Sequence, residues 1–108
     1  MNQCDPAVIR HAAMPLLSGY KYTNNLAGFV VPFDKVPKTI KSMPIFSKDP
    51  DLIITWWVAT NDDALAFVNG SGFGHWGIVV CQNENSREFD GWAGYTYWTN
   101  GIYFYNGQ

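Results

Sequence analysis

The stretch YTYWTNGIYFY at residues 95–105 decides the class of fold. Two runs of β-branched and aromatic residues, 95–98 and 102–105, lie on either side of Asn100-Gly101. Such residues favour strands, and Asn-Gly readily adopts the positive φ angles of a tight hairpin turn. The stretch therefore predicts two antiparallel strands joined by a turn.

The sequence before this hairpin shows further strands separated by turn residues. Leu52–Ala59 and His75–Cys81 are predicted strands, and Asn69–Gly74 is predicted to be a flexible loop. Arg87–Asp90 is predicted to begin another strand. Ala64–Val68 fits either a returning strand or a short helix, and the turns on both sides favour the strand.

The first half of the chain has helical and irregular patterns. Asp5 followed by Pro6 is typical of a helix start, and Pro15 is expected to end or kink that helix near Met14. Asp34 is predicted to cap a second helix through Lys35–Ser42.

Three further predictions concern short segments of this half. The second helix is expected to direct Val36, Ile40 and Met43 inward. Tyr20–Tyr22 and Gly28–Val31 are predicted to be short strands, the latter ended by a proline.

These elements predict an α+β fold, because the helices and strands are segregated along the chain. We expect an N-terminal helix and an irregular segment to pack on an antiparallel meander of about five strands. The 108 residues are predicted to form a single domain, 1–108.

Composition narrows the classes of function. Charged residues make up 15% of the chain, the net charge is −2, and no basic run is present, so nucleic-acid binding is not expected. The longest apolar stretch has the length of a strand, so membrane insertion is not expected either. Two cysteines and no signal-peptide pattern predict a cytoplasmic protein.

The C-terminal region is unusually rich in aromatic residues. Because side chains alternate along a strand, Tyr103 and Tyr105 are expected on one face of the sheet and Phe104 on the other, so rings lie on both faces. One face packs on the core, and the other is either covered by N-terminal segments or forms an interface or ligand site. The predicted ligand or interface residues are Trp92, Tyr95, Tyr97, Trp98, Tyr103 and Tyr105.

Few residues suggest a chemical reaction. His75 follows a glycine-rich loop and fits a general base paired with Asp90 or Asp62, although a strand-edge histidine with one hydrogen bond is the simpler interpretation. No histidines or cysteines have the spacing of metal ligands, so no metal and no cofactor are expected.

The favoured function is a small intracellular binding module for a small molecule or a protein, which forms a homodimer through its aromatic face. A small hydrolase or isomerase with a pocket around His75 is the alternative, so the sequence leaves open whether the protein is an enzyme. A secreted carbohydrate binder is the third hypothesis, which the lack of a signal-peptide pattern disfavours.

Overall fold

One antiparallel sheet, with helices packed on it, forms the framework of the protein. The computed structural model describes residues 5–20, 30–31, 34, 36–46, 53–58, 64–71 and 74–107. Its elements are α1 (Pro6–Tyr20), β1 (Val30–Val31), α2 (Lys38–Lys41), a 3-10 turn (Pro44–Phe46), β2 (Ile53–Val58), β3 (Ala64–Ser71), β4 (Gly74–Cys81), β5 (Tyr95–Thr99) and β6 (Ile102–Asn106).

The strands form a sheet in the order β1-β2-β3-β4-β6-β5, and every neighbouring pair is antiparallel. The predicted α+β class with an antiparallel sheet is therefore confirmed. Besides the two-residue β1, the described part of the chain contains five strands of five to eight residues. The segment that fitted either a strand or a helix lies within β3.

The sheet departs from a simple meander at its C-terminal end. β6, rather than β5, pairs with β4, and Tyr105 lies opposite both Gly77 and Tyr95. β4 and β5 therefore run in the same direction, so the connection 82–94 must return along the length of the sheet. This return is what places β5 at the edge.

The two faces of the sheet have different coverings. One face, which we call the helical face, presents Leu65, Ile78 and Ile102 to a core that also includes Ile9 of α1 and Ile40 of α2. Burying side chains of this size stabilises the fold by about 1.5–3 kcal/mol each. The other face, which we call the aromatic face, carries a second cluster: Ala64, Ala66, Val68, Val79, Cys81, Phe89 and Tyr103, with Tyr95, Tyr97 and Tyr105 packed against it.

Helix α1 starts where predicted but ends later. The Ala7 N–H donates to Asp5 Oδ1 at 3.0 Å, which is an N-cap interaction. The helix continues through Pro15 to Tyr20, so of the two predicted outcomes, an end or a kink, the end near Met14 is excluded. Pro15 lacks one backbone donor, but the buried Leu17 beyond it secures the last turns against the core.

The remaining predictions for the first half are settled in part. Tyr20 belongs to α1 rather than to a strand, and the rest of segment 20–22 lies outside the described residues. Of the predicted strand 28–31, Val30–Val31 forms β1. Val36, Ile40 and Met43 are buried, as predicted.

The second helix is shorter than predicted because of its proline. α2 begins at Lys38, its N-cap is Pro37, and no side chain caps it. A residue before proline avoids helical backbone angles, so Val36 cannot extend the helix toward Asp34. The predicted cap by Asp34 is therefore wrong.

Two predictions for the second half are also wrong. The supposed loop 69–74 is largely strand, since β3 and β4 pair as far as Ser71 and Gly74. Arg87–Asp90 is a turn in which the Asp90 N–H donates to the Arg87 carbonyl oxygen, so no strand begins there. The predicted turn at Asn100-Gly101 is confirmed, with φ angles of 53° and 73°.

Arg10 adds hydrogen bonds to the apolar packing of α1 on the sheet. The Arg10 guanidinium donates to the carbonyl oxygens of Cys81 at 2.8 Å, Gln82 at 3.1 Å and Asn100. It thus joins the helix to the end of β4 and to the β5–β6 turn. No helix in the described residues is long and apolar enough to cross a membrane.

Candidate aromatic binding site

A cluster of aromatic rings joins the 82–94 connection to the terminal hairpin. Phe89 is wholly buried, stacks on Tyr95 with ring centroids 4.9 Å apart, and meets Tyr103 edge-on at 5.5 Å. Trp92 meets Phe89 edge-on at 5.0 Å and Tyr95 at 5.7 Å. Such pairs stabilise by about 0.5–1.5 kcal/mol beyond the effect of burial, so the cluster secures the connection to the sheet.

The hairpin register explains why its tyrosines meet. Tyr95 lies opposite Tyr105, and Tyr97 lies opposite Tyr103. Side chains at directly opposite positions contact each other across an antiparallel pair. The corresponding ring centroids are 5.0 Å and 5.2 Å apart.

These rings differ widely in how much of their surface is exposed to solvent. Trp92 is 49% exposed, whereas Tyr103 has no exposed surface. Tyr95, Tyr97 and Tyr105 are half-buried. We call Trp92, Tyr95, Tyr97 and Tyr105 the aromatic surface; Tyr103 lies beneath it and supports it.

A polar network runs along one side of the cluster. The Tyr103 hydroxyl donates to Asp90 Oδ1 at 2.6 Å, and Arg87 Nε lies 3.1 Å from each Asp90 oxygen. The Arg87 guanidinium also stands 3.9 Å from the centroid of the Tyr97 ring, within cation–π range. The network therefore ties the 82–94 connection to both strands of the hairpin.

The same network shifts the pKa values of two of its members. Burial, together with the hydrogen bond to Asp90, raises the pKa of Tyr103 to about 12. The hydroxyl of Tyr103 and then the guanidinium of Arg87 lower the pKa of Asp90. Asp90 is thus a poor proton acceptor at neutral pH, since a general base works best with a pKa near the working pH.

Strand β5 presents unpaired backbone groups at its outer edge. The Asn106 N–H donates to the Gly94 carbonyl oxygen at 2.8 Å, which marks a hydrogen-bonded pair. Because such pairs alternate along an antiparallel ladder, Thr96 bonds to β6 while the Tyr97 N–H and C=O point away from it. Among the described residues, no strand pairs with β5 on that side.

Rings also lie on the helical face of this edge. Trp98 and Phe104 have ring centroids 5.2 Å apart, and Phe104 is 36% exposed. Trp98 packs against the core of the helical face, while Thr96 is exposed. Trp98 is therefore on the opposite face from the other five predicted site residues. Phe104 and Arg87 also lie at the candidate site; the first was placed on this face by alternation but was not among the predicted site residues, and the second gave no signal in the sequence.

The enzymatic alternative gains no support from the described residues. The backbone of His75 lies in β4 opposite Gly70, but its side chain is outside what the structure describes. The described residues enclose no pocket. Within the same ranges, no three metal-ligating side chains are grouped.

Comparison of the chain with models of protein families, with curated proteins and with solved structures found no match.

Proposed function

We propose that this protein is a small binding module that self-associates through the outer edge of β5 and the rings on its two sides. The observation that supports this most directly is the open edge of β5 itself. Its residues, Tyr95–Thr99, include no charged side chain and no proline. Natural edge strands are usually protected by such residues, and an unprotected edge favours pairing with another strand.

The rings beside this edge support the same proposal. A strand added to β5 would extend the sheet at this edge. On the helical face it would lie beside Trp98 and Phe104, and on the aromatic face it would lie beside the aromatic surface. Tyrosine and tryptophan dominate the binding energy of many interfaces. Trp92 is held between Phe89 and Tyr95, so it would lose little conformational freedom on binding.

A second copy of the chain can supply the added strand. The N–H and C=O of Tyr97 both point outward, so a twofold axis beside Tyr97 would let two copies exchange a pair of hydrogen bonds. Arg87 would lie near this axis in both copies. Its positive charge is balanced by the ion pair with Asp90 of the same chain. The low proportion of charged residues, 15% of the chain, also favours association.

The cellular location is part of this proposal. Cys81 is buried, and the chain has two cysteines in all, fewer than a secreted domain stabilised by disulfides would normally carry. We therefore propose a cytoplasmic protein. Recovery of the native protein with the soluble cytoplasmic fraction would support this, and recovery from the medium or an envelope fraction would contradict it.

The proposal is tested by substituting Thr96, whose exposed side chain lies on the edge strand. In Thr96→Lys, a charge stands where the second copy would pack, and we expect dimer dissociation to increase at least about tenfold, equivalent to 1.4 kcal/mol. His11→Lys adds the same charge on an exposed part of α1 and serves as the matched control. Native mass spectrometry over a dilution series measures both.

The outcomes separate the possibilities. A dimer that Thr96→Lys disrupts and His11→Lys leaves intact supports self-association through β5. A wild-type monomer at every concentration, or equal effects of the two variants, contradicts it. A monomer that carries a small-molecule adduct lost in Trp92→Ala would instead support a ligand site on the aromatic surface.

A further inference from the structure

The chain contains three Asn-Gly pairs, and the structure places them in very different surroundings. They are Asn69-Gly70, Asn100-Gly101 and Asn106-Gly107. In such a pair, the glycine nitrogen can reach the asparagine side chain because no side chain on the glycine obstructs it. The local structure then determines whether the two groups can meet.

Two of the pairs are held in place. Asn69 is wholly buried, and Gly70 pairs with His75 in the β3–β4 ladder. In Asn100-Gly101, Arg10 binds the Asn100 carbonyl, and the Thr99 hydroxyl donates to Asn100 Oδ1 at 3.0 Å.

The nitrogen at the second pair is also shielded. Gly101 is buried, and its N–H faces the Tyr97 hydroxyl at 3.4 Å. An attack on the Asn100 side chain would require this amide to turn away from the hydroxyl and out of the turn.

At the third pair, the asparagine is exposed and the glycine N–H is not held by a hydrogen bond among the described residues. Asn106 is the last residue of β6, so the peptide bond to Gly107 lies beyond the ladder.

We propose that Asn106-Gly107 is the site at which this protein modifies itself by deamidation. The Gly107 nitrogen attacks Asn106 Cγ, the Cγ–Nδ2 bond breaks, and ammonia leaves with the proton that the Gly107 nitrogen gives up through water. The product is a five-membered succinimide. Water then adds to either of its carbonyl carbons and opens it to aspartate or isoaspartate.

The modification would alter the candidate binding site. The Tyr105 hydroxyl packs so closely over Gly107 that a Cβ at this position would overlap it. The Asn106 N–H also holds Gly94 beside the aromatic surface. Isoaspartate adds one methylene to the backbone between these contacts, and therefore displaces Gly107 from beneath Tyr105.

The test is peptide mapping of the intact protein during incubation at mildly alkaline pH. We expect aspartate and isoaspartate to form at Asn106 at least about tenfold faster than at Asn69 or Asn100. At the two slower sites, a hydrogen bond must break before the glycine nitrogen can attack. In urea, the three pairs should react at similar rates. Equal rates in the folded protein, or faster reaction at Asn100, would overturn the proposal.

Two variants sharpen the test. Asn106→Gln should abolish the fast phase, because a glutamine would have to close a larger ring. Tyr97→Phe removes the hydroxyl that faces the Gly101 N–H, and we expect a severalfold faster reaction at Asn100 with no change at Asn106. A fast phase that persists in Asn106→Gln would assign the reaction elsewhere and refute this site.

Discussion

Phe89 connects the 82–94 segment to the sheet, so Phe89→Ala is the sharpest test of the described packing. The side chain is wholly buried and contacts the rings of Trp92, Tyr95 and Tyr103. Replacing a buried phenylalanine by alanine costs about 3–5 kcal/mol, through lost transfer energy and the cavity that remains.

The magnitude decides how the measurement is made. A chain of this length has a free energy of unfolding of about 5–15 kcal/mol. A loss of about 4 kcal/mol therefore leaves the variant folded at low temperature with a much lower Tm. Urea unfolding followed by circular dichroism gives the change, provided that the m value stays constant.

The matched control is Val8→Ala. Val8 is an apolar side chain of α1 that is 49% exposed, and its truncation should change the free energy of unfolding by about 0.5 kcal/mol or less. If Phe89→Ala also costs less than about 1 kcal/mol, the ring is not packed as described, and the account of the aromatic face fails.

Three further predictions concern other contacts. Gly77→Ala would place a Cβ on the Phe67 carbonyl oxygen, so we expect the free energy of unfolding, measured with urea, to fall by about 3 kcal/mol or more. A decrease below about 1 kcal/mol would contradict the pairing register of β3 and β4. Arg10→Lys keeps the positive charge but loses the planar, forked guanidinium group. We expect the free energy of unfolding to fall by about 1.5–3 kcal/mol in the same assay, whereas an unchanged value would show that the carbonyl contacts are dispensable. Because the folded pKa of Asp90 is lowered, its stabilisation is present above the ordinary value of 3.8 and is lost as the pH falls through the folded pKa. In Asp90→Asn, the free energy of unfolding should therefore fall less steeply with decreasing pH than in the wild type, as measured by urea unfolding at a series of acidic pH values. An unchanged pH dependence would refute this.

Local signals predicted much of the fold. Asn100-Gly101 predicted the terminal hairpin, and the alternation of residues around it correctly placed Tyr103 and Tyr105 on one face and Phe104 on the other. Asp5 correctly predicted the start of α1. These features depend on residues that are close in sequence, which is why a single sequence was sufficient.

Long-range contacts explain what the sequence did not predict. Whether β5 or β6 pairs with β4 depends on where the 82–94 connection lies. Alternation assigned Tyr103 to a face, but the contacts that help to bury it include Phe89 of the 82–94 connection, whose position the strand pattern does not give. Arg10 gave no signal because its partners are backbone carbonyls, which every residue has.

The aromatic cluster divides stability and binding between different rings. Phe89 and Tyr103 are buried and fix the connection to the hairpin, whereas Trp92 is 49% exposed and contacts Phe89 and Tyr95 from the solvent side. Truncating Trp92 should therefore cost much less stability than truncating Phe89, although it removes the most exposed ring of the aromatic surface. If association or ligand uptake falls in Trp92→Ala while the free energy of unfolding changes little, the exposed rings serve binding. If both fall in proportion, Trp92 belongs to the core, and the binding surface is confined to the edge of β5.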